Sequence, residues 1–129
     1  MKSFNIKKQE TETIDIEGMQ FEVDITTSNV KEMVLKGHEL QEKAKEIEDM
    51  SEDATKEEQL QAIEEVENLL KESTNFVLGE GAFEKIYPKT NESIYVMADV
   101  LYQVIDYLYD KQQKENEKMK QKYVQKRKK

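Results

Sequence analysis

Residues 12–25, ETIDIEGMQFEVDI, carry apolar side chains at alternate positions on either side of Glu17 and Gly18. A period of two around a two-residue turn specifies a β-hairpin, with Ile14, Ile16, Met19, Phe21, Val23 and Ile25 as its apolar set. Two strands alone are marginal in water, so this hairpin obliges the rest of the chain to supply a covering layer. Helices are the expected cover. TTSN at 26–29 offers N-cap residues, and Asn29 with Glu32 has capping-box spacing ahead of Val30, Met33, Val34, Leu40, Ala44, Ile47 and Met50. Thr55 with Glu58 repeats that spacing before Leu60, Ile63, Val66, Leu69 and Leu70. Two amphipathic helices joined by a short acidic turn are predicted.

A break follows. Gly79 suits a left-handed helix C-cap, and Pro88 cannot sit inside a regular helix, so residues 79–88 read as a corner holding one helical turn. Asn91 or Ser93 starts the last helix, whose Ile94, Met97, Leu101, Val104, Ile105 and Leu108 form the most apolar face of the chain. It runs into KQQKENEKMKQKYVQKRKK, which is compatible with a helix but nearly without apolar periodicity. The expected fold is mainly α, an N-terminal β-hairpin followed by three to four helices, the last long and basic at its end. Residues 1–110 form one domain in this reading and residues 111–129 a basic, partly frayed helical tail.

Charge is unevenly placed along the 129 residues. Residues 111–129 hold nine Lys/Arg against two Glu, leaving eleven against twenty-six in residues 1–110. An acidic body argues against nucleic acid as the main ligand, whereas the basic tail suits a polyanion, an acidic patch on a partner, or another copy of the body. Apolar residues make up 36% of the chain and charged ones 37%, which implies a thin core under a heavily solvated surface. The chain has no cysteine, so disulfides and thiolate metal sites are excluded and a reducing cytoplasm is the expected compartment. MKSFNIKKQETE has no apolar signal region, and no window approaches the roughly 18 apolar residues of a membrane span. Neither export by a standard signal nor membrane insertion is expected.

LGEGAFEKIYPKTNES, residues 78–93, raises the question of a phosphate cradle. A dinucleotide fingerprint needs a third glycine behind a strand, and a P-loop needs Gly-Lys-Ser/Thr after four spacers; neither is present. Glu80 also sets negative charge where phosphate would sit, so the stretch reads as structural. His38, the only histidine, lacks partners at ligand or catalytic spacing. The run from Glu39 to Glu72 holds thirteen acids against four lysines without a calcium-loop pattern, and reads as a solvated face or a docking surface for a basic partner. No nucleophile, base and orienting residue combine. A non-enzymatic binding protein without cofactor or metal is expected.

Tyr95, Tyr102 and Tyr109 recur every seven residues along the last helix, with Tyr107 off their line. Such a stripe either flanks the monomer's core or forms a subunit or partner interface, where tyrosine is enriched. An apolar helix seated near Leu101, Ile105 and Leu108, with Tyr95, Tyr102 and Tyr109 at the rim, is the binding site this reading points to.

The hairpin IDIEGMQFEVDI, the charged helical middle, and FVLGEGAFEKIYP at 76–88 followed by VMADVLYQVIDYLYD resemble the tail assembly chaperones of long-tailed, siphovirus-type phages and prophages of Gram-positive bacteria. The resemblance covers the chain to about residue 110. It implies a non-structural protein of the bacterial host cytoplasm that binds the tape measure protein, keeps it soluble, and helps tail tube subunits assemble around it. It also implies a homo-oligomer. The alternative is a small regulatory or nucleic-acid-linked interaction protein that uses KYVQKRKK, although no recognition helix accompanies that tail.

Overall fold

The structure, a computed structural model, describes residues 1–6 and 11–127. Strands β1 (Thr11–Ile16) and β2 (Met19–Asp24) pair antiparallel, with Ile14 opposite Phe21 and Ile16 opposite Met19. The turn works because Glu17 and Gly18 both take positive φ, 50° and 83°, as a type I′ turn requires, and Gly18 N–H donates to Asp15 Oδ1. Four α-helices follow: α1 (Thr27–Glu48), α2 (Lys56–Leu78), the short α3 (Ala82–Ile86) and α4 (Ile94–Arg127), with a 3-10 turn at Tyr87–Thr90. The expected mainly helical fold with an N-terminal hairpin and a long last helix is the one observed.

Two local expectations change and one open choice is decided. The cap of α1 is Thr26, whose hydroxyl accepts from Asn29 N–H; Asn29 is used instead to donate through Nδ2 to the Asp24 carbonyl. That bond ties the helix start to the strand end and moves the helix boundary three residues upstream of the expected box. Gly79 is not left-handed: at φ 109° and ψ 161° it occupies an extended region open only to glycine, and Gly81, at φ 82° and ψ −2°, supplies the left-handed residue. Of the two proposed starts for α4, Ser93 is the one used, its hydroxyl accepting from Val96 N–H, while left-handed Asn91 closes the 3-10 turn. Thr55 caps α2 at the expected position, its Oγ1 accepting from Glu58 N–H at 3.1 Å and donating to the Glu58 carboxylate at 3.2 Å.

The helices run in a definite order of sense. Lys36 lies over the Phe76 ring and Lys43 pairs with Glu65, so α1 and α2 are antiparallel. Gln112 Nε2 donates to the Ile25 carbonyl at 3.2 Å in a buried setting, and Ile105 abuts Gly37, so α4 also runs antiparallel to α1. The shared core holds Phe21 and Val23 from the hairpin, Met33 and Leu40 from α1, Leu70 from α2, Ile86 from α3, and Met97, Leu101 and Leu108 from α4. The hairpin is latched to α4 at its edge, where Tyr107 hydroxyl donates to Glu12 Oε1 at 2.8 Å and Lys111 approaches the same carboxylate. Packing therefore continues two residues beyond the expected domain end at 110, and α4 stays helical to Arg127; Lys128 and Lys129 of the expected tail lie outside the described residues.

Leu101 is fully buried, so Leu101→Ala is expected to lower stability by about 2–5 kcal/mol. The Ser73 hydroxyl is equally buried but has no hydrogen-bond partner among the described residues, so Ser73→Ala leaves stability unchanged or raises it. Urea unfolding of the two variants distinguishes a packed position from a polar misfit. The hydrogen bond to Glu12 raises the Tyr107 pKa above the usual tyrosine value, with burial and the Glu12 charge adding to it. A raised pKa means the latch contributes fully below the unfolded value near 10 and is lost as pH climbs through the folded one. Thermal melts of wild type and Tyr107→Phe should differ by a small, constant margin at neutral pH, and that margin should close at strongly alkaline pH.

Candidate partner-binding groove

The antiparallel approach of α1 and α4 leaves an open groove of about 340 Å³ between them. Gly37 makes it possible: a Cβ there would already stand 3.4 Å from Ile105 Cδ1, so any larger side chain would separate the helices or fill the space. Ile105 forms the floor, Val34, Tyr102 and Tyr109 stand along it, and His38, Gln41 and Asp106 supply a polar margin. Burial raises the Tyr102 pKa, so this ring stays a neutral hydrogen-bond donor at physiological pH.

Three of the six residues expected to bind a partner, Tyr102, Ile105 and Tyr109, thus come together on this groove. The other three do not. Leu101 and Leu108 have no exposed surface, because their stripe of α4 closes over the core, and they cannot contact a partner in this structure. Tyr95 is 64% exposed near the start of α4, outside the lining. The α1 wall was not anticipated at all. Its one sequence signal was Gly37, a glycine in the middle of a helical pattern, where a helix tolerates it poorly unless another backbone or side chain comes close.

The corner at residues 79–83 is spoken for internally. Gly79 N–H donates to the Asn75 carbonyl, Ala82 N–H to the Gly79 carbonyl, and Phe83 N–H to Asn75 Oδ1 at 2.9 Å. Three of the amides that a phosphate cradle would draw on, those of Gly79, Ala82 and Phe83, thus have internal partners. Among the described residues no cluster of three or more His, Asp or Glu has the arrangement of a metal site, and no helix is long and apolar enough to cross a membrane. No family model, curated protein or solved structure matches the chain.

Gly37→Ala should raise the thermal midpoint by a few degrees, since removing a helix-interior glycine is worth roughly 0.5–1 kcal/mol and the new methyl meets Ile105 at ordinary contact distance. Calorimetry checks this. A fall in the midpoint would show that the α1–α4 approach has no room for a methyl group.

Proposed function

We propose that this chain is a non-enzymatic tail assembly chaperone of a long-tailed phage or prophage, which binds the tape measure protein and keeps it soluble in the host cytoplasm while tail tube subunits assemble around it. The observation that carries this reading is the α1–α4 groove, with an aliphatic floor, two tyrosines along it and a polar margin. An amphipathic helix presents its apolar side chains at intervals of three and four residues, and a groove between two helices accepts such a row. Tyrosine serves this role well because its ring offers apolar area while its hydroxyl tolerates water when the groove is empty. The strongly acidic body favours solubility of a loaded complex. The resemblance of FVLGEGAFEKIYP and the apolar helix after it supplies the partner's class.

The test is co-expression with the tape measure protein of the phage or prophage that carries this chain. That protein's soluble fraction should rise with the wild-type chain. His38→Asp combined with Tyr109→Asp places charge on two exposed margins of the groove without touching the core, and should remove the gain while leaving circular dichroism and thermal midpoint unchanged. If the wild-type chain leaves the tape measure protein insoluble, the chaperone reading fails; if the folded double variant still solubilises it, the groove is not the site.

A further inference from the structure

The core-facing stripe of α4 does not stop where the body stops. Leu101, Ile105, Leu108 and Gln112 follow at steps of four, three and four residues, and Met119 and Tyr123 lie on the same face after a seven-residue step of about two turns. The first four are buried against the body, whereas Met119 and Tyr123 are 63% and 61% exposed. In a tail nearly without apolar periodicity these two residues extend the stripe, with Glu115 and Asn116 in the intervening turn. From Gln112 to Arg127 the helix projects about 22 Å. Lys120 and Lys122 flank the stripe on its two sides, and residues 113–127 carry six Lys/Arg against two Glu.

At the opposite end, the α1–α2 pair forms an acidic tip. Its cleft, about 180 Å³, has Met50 and Ala62 beside Glu46, Glu58 and Glu65, with Lys43 bridging Glu46 and Glu65 at 3.5 and 3.7 Å. Residues 44–63 around it hold seven acids against two lysines. The arm cannot reach this tip in its own chain. Gln112 sits level with Ile25 at the start of α1, the tip is built on the far end of that 22-residue helix, and α4 points away from it. About 33 Å of α1 separates the two ends.

We propose that the basic arm of one copy, residues 113–127, docks on the acidic α1–α2 tip of a second copy. The charges are complementary, each surface offers apolar atoms inside a charged margin, and only another molecule can bring them together. Two copies side by side and antiparallel place each arm beside the other's tip, so one closed pair makes both contacts. This pairing depends neither on the groove nor on the tape measure reading.

Full-length chain is measured by sedimentation equilibrium across a concentration series at about 20 mM and about 500 mM salt, where screening goes from weak to strong. The mass should exceed that of one chain at low salt and fall toward one chain at high salt. Lys120→Glu with Lys122→Glu, and separately Glu46→Lys with Glu65→Lys, should each remain single chains, while an equimolar mixture of the two variants associates again because each arm then meets an opposite tip. All four positions are solvent-exposed, so the helical circular dichroism of each variant should match wild type. A wild type that stays a single chain at every concentration overturns the pairing, and so do variants that keep the wild-type mass. A single-chain wild type that retards duplex DNA, with retardation lost in Lys120→Glu/Lys122→Glu, overturns it in favour of a nucleic-acid arm.

Discussion

Leu101 and Leu108 are wholly buried in one core to which the hairpin, α1, α2 and α3 each contribute side chains, and the fold depends on keeping that stripe of α4 covered. The hairpin cannot stand alone, since two strands leave one apolar face in water; it is stable because Phe21 and Val23 join this core and Glu12 is held by Tyr107 and Lys111 at its edge. Helix α1 comes close to α4 at Gly37, where a side chain larger than a methyl group would run into Ile105. The corner after α2 exists to return the chain to the start of that same helix. Its Gly79, Ala82 and Phe83 amides donate to Asn75 and Gly79, and Phe83 stacks on Tyr87 at 4.6 Å while the Tyr87 hydroxyl donates to the Glu92 carbonyl. A stretch that resembles a ligand loop by composition is thereby built as a rigid connector.

The same constraint decides what α4 can offer to other molecules. A stripe buried along its first half is not available there, so Leu101 and Leu108 drop out of the expected binding surface, whereas Ile105 lines the open groove beside them. Tyr102 and Tyr109 lie one face around from the stripe, which is why a seven-residue repeat placed them at a margin rather than in the core. Of the tyrosines, Tyr102 packs against the core as the first alternative has it, while Tyr95 and Tyr109 face outward.

The legible features were those encoded within a few residues. Alternation around Glu17-Gly18 gave the hairpin, Thr55 and Glu58 the start of α2, and the spacing of Met97, Leu101, Val104 and Leu108 the buried side of α4. Thr26 and Asn29 both have cap chemistry, and the choice between them depends on Asp24, whose carbonyl captures the Asn29 amide from the neighbouring strand. No local rule ranks that bond. The groove was illegible for a stronger reason: it joins Val34 and Gly37 to Tyr102 and Ile105, residues more than sixty positions apart, and their meeting depends on the crossing of two helices rather than on either pattern. Gly37 announced a close approach without naming what approached.

The placement of the three surfaces has a consequence for how copies and partners coexist. The groove spans the waist of the molecule, between residues 34–41 and 102–109, whereas the acidic tip lies past Lys43 at one end and the basic arm past Gln112 at the other. Contacts between copies through the proposed arm and tip would therefore leave Tyr102, Ile105 and Tyr109 uncovered. The two associations also differ in physical kind: pairing through lysines and glutamates weakens with ionic strength, while seating apolar side chains on Ile105 does not. A long helical partner could then be held along its length by several grooves at once, with effective concentration rather than single-site affinity setting the strength of the hold. Salt would loosen such an array by separating copies before it emptied any one groove.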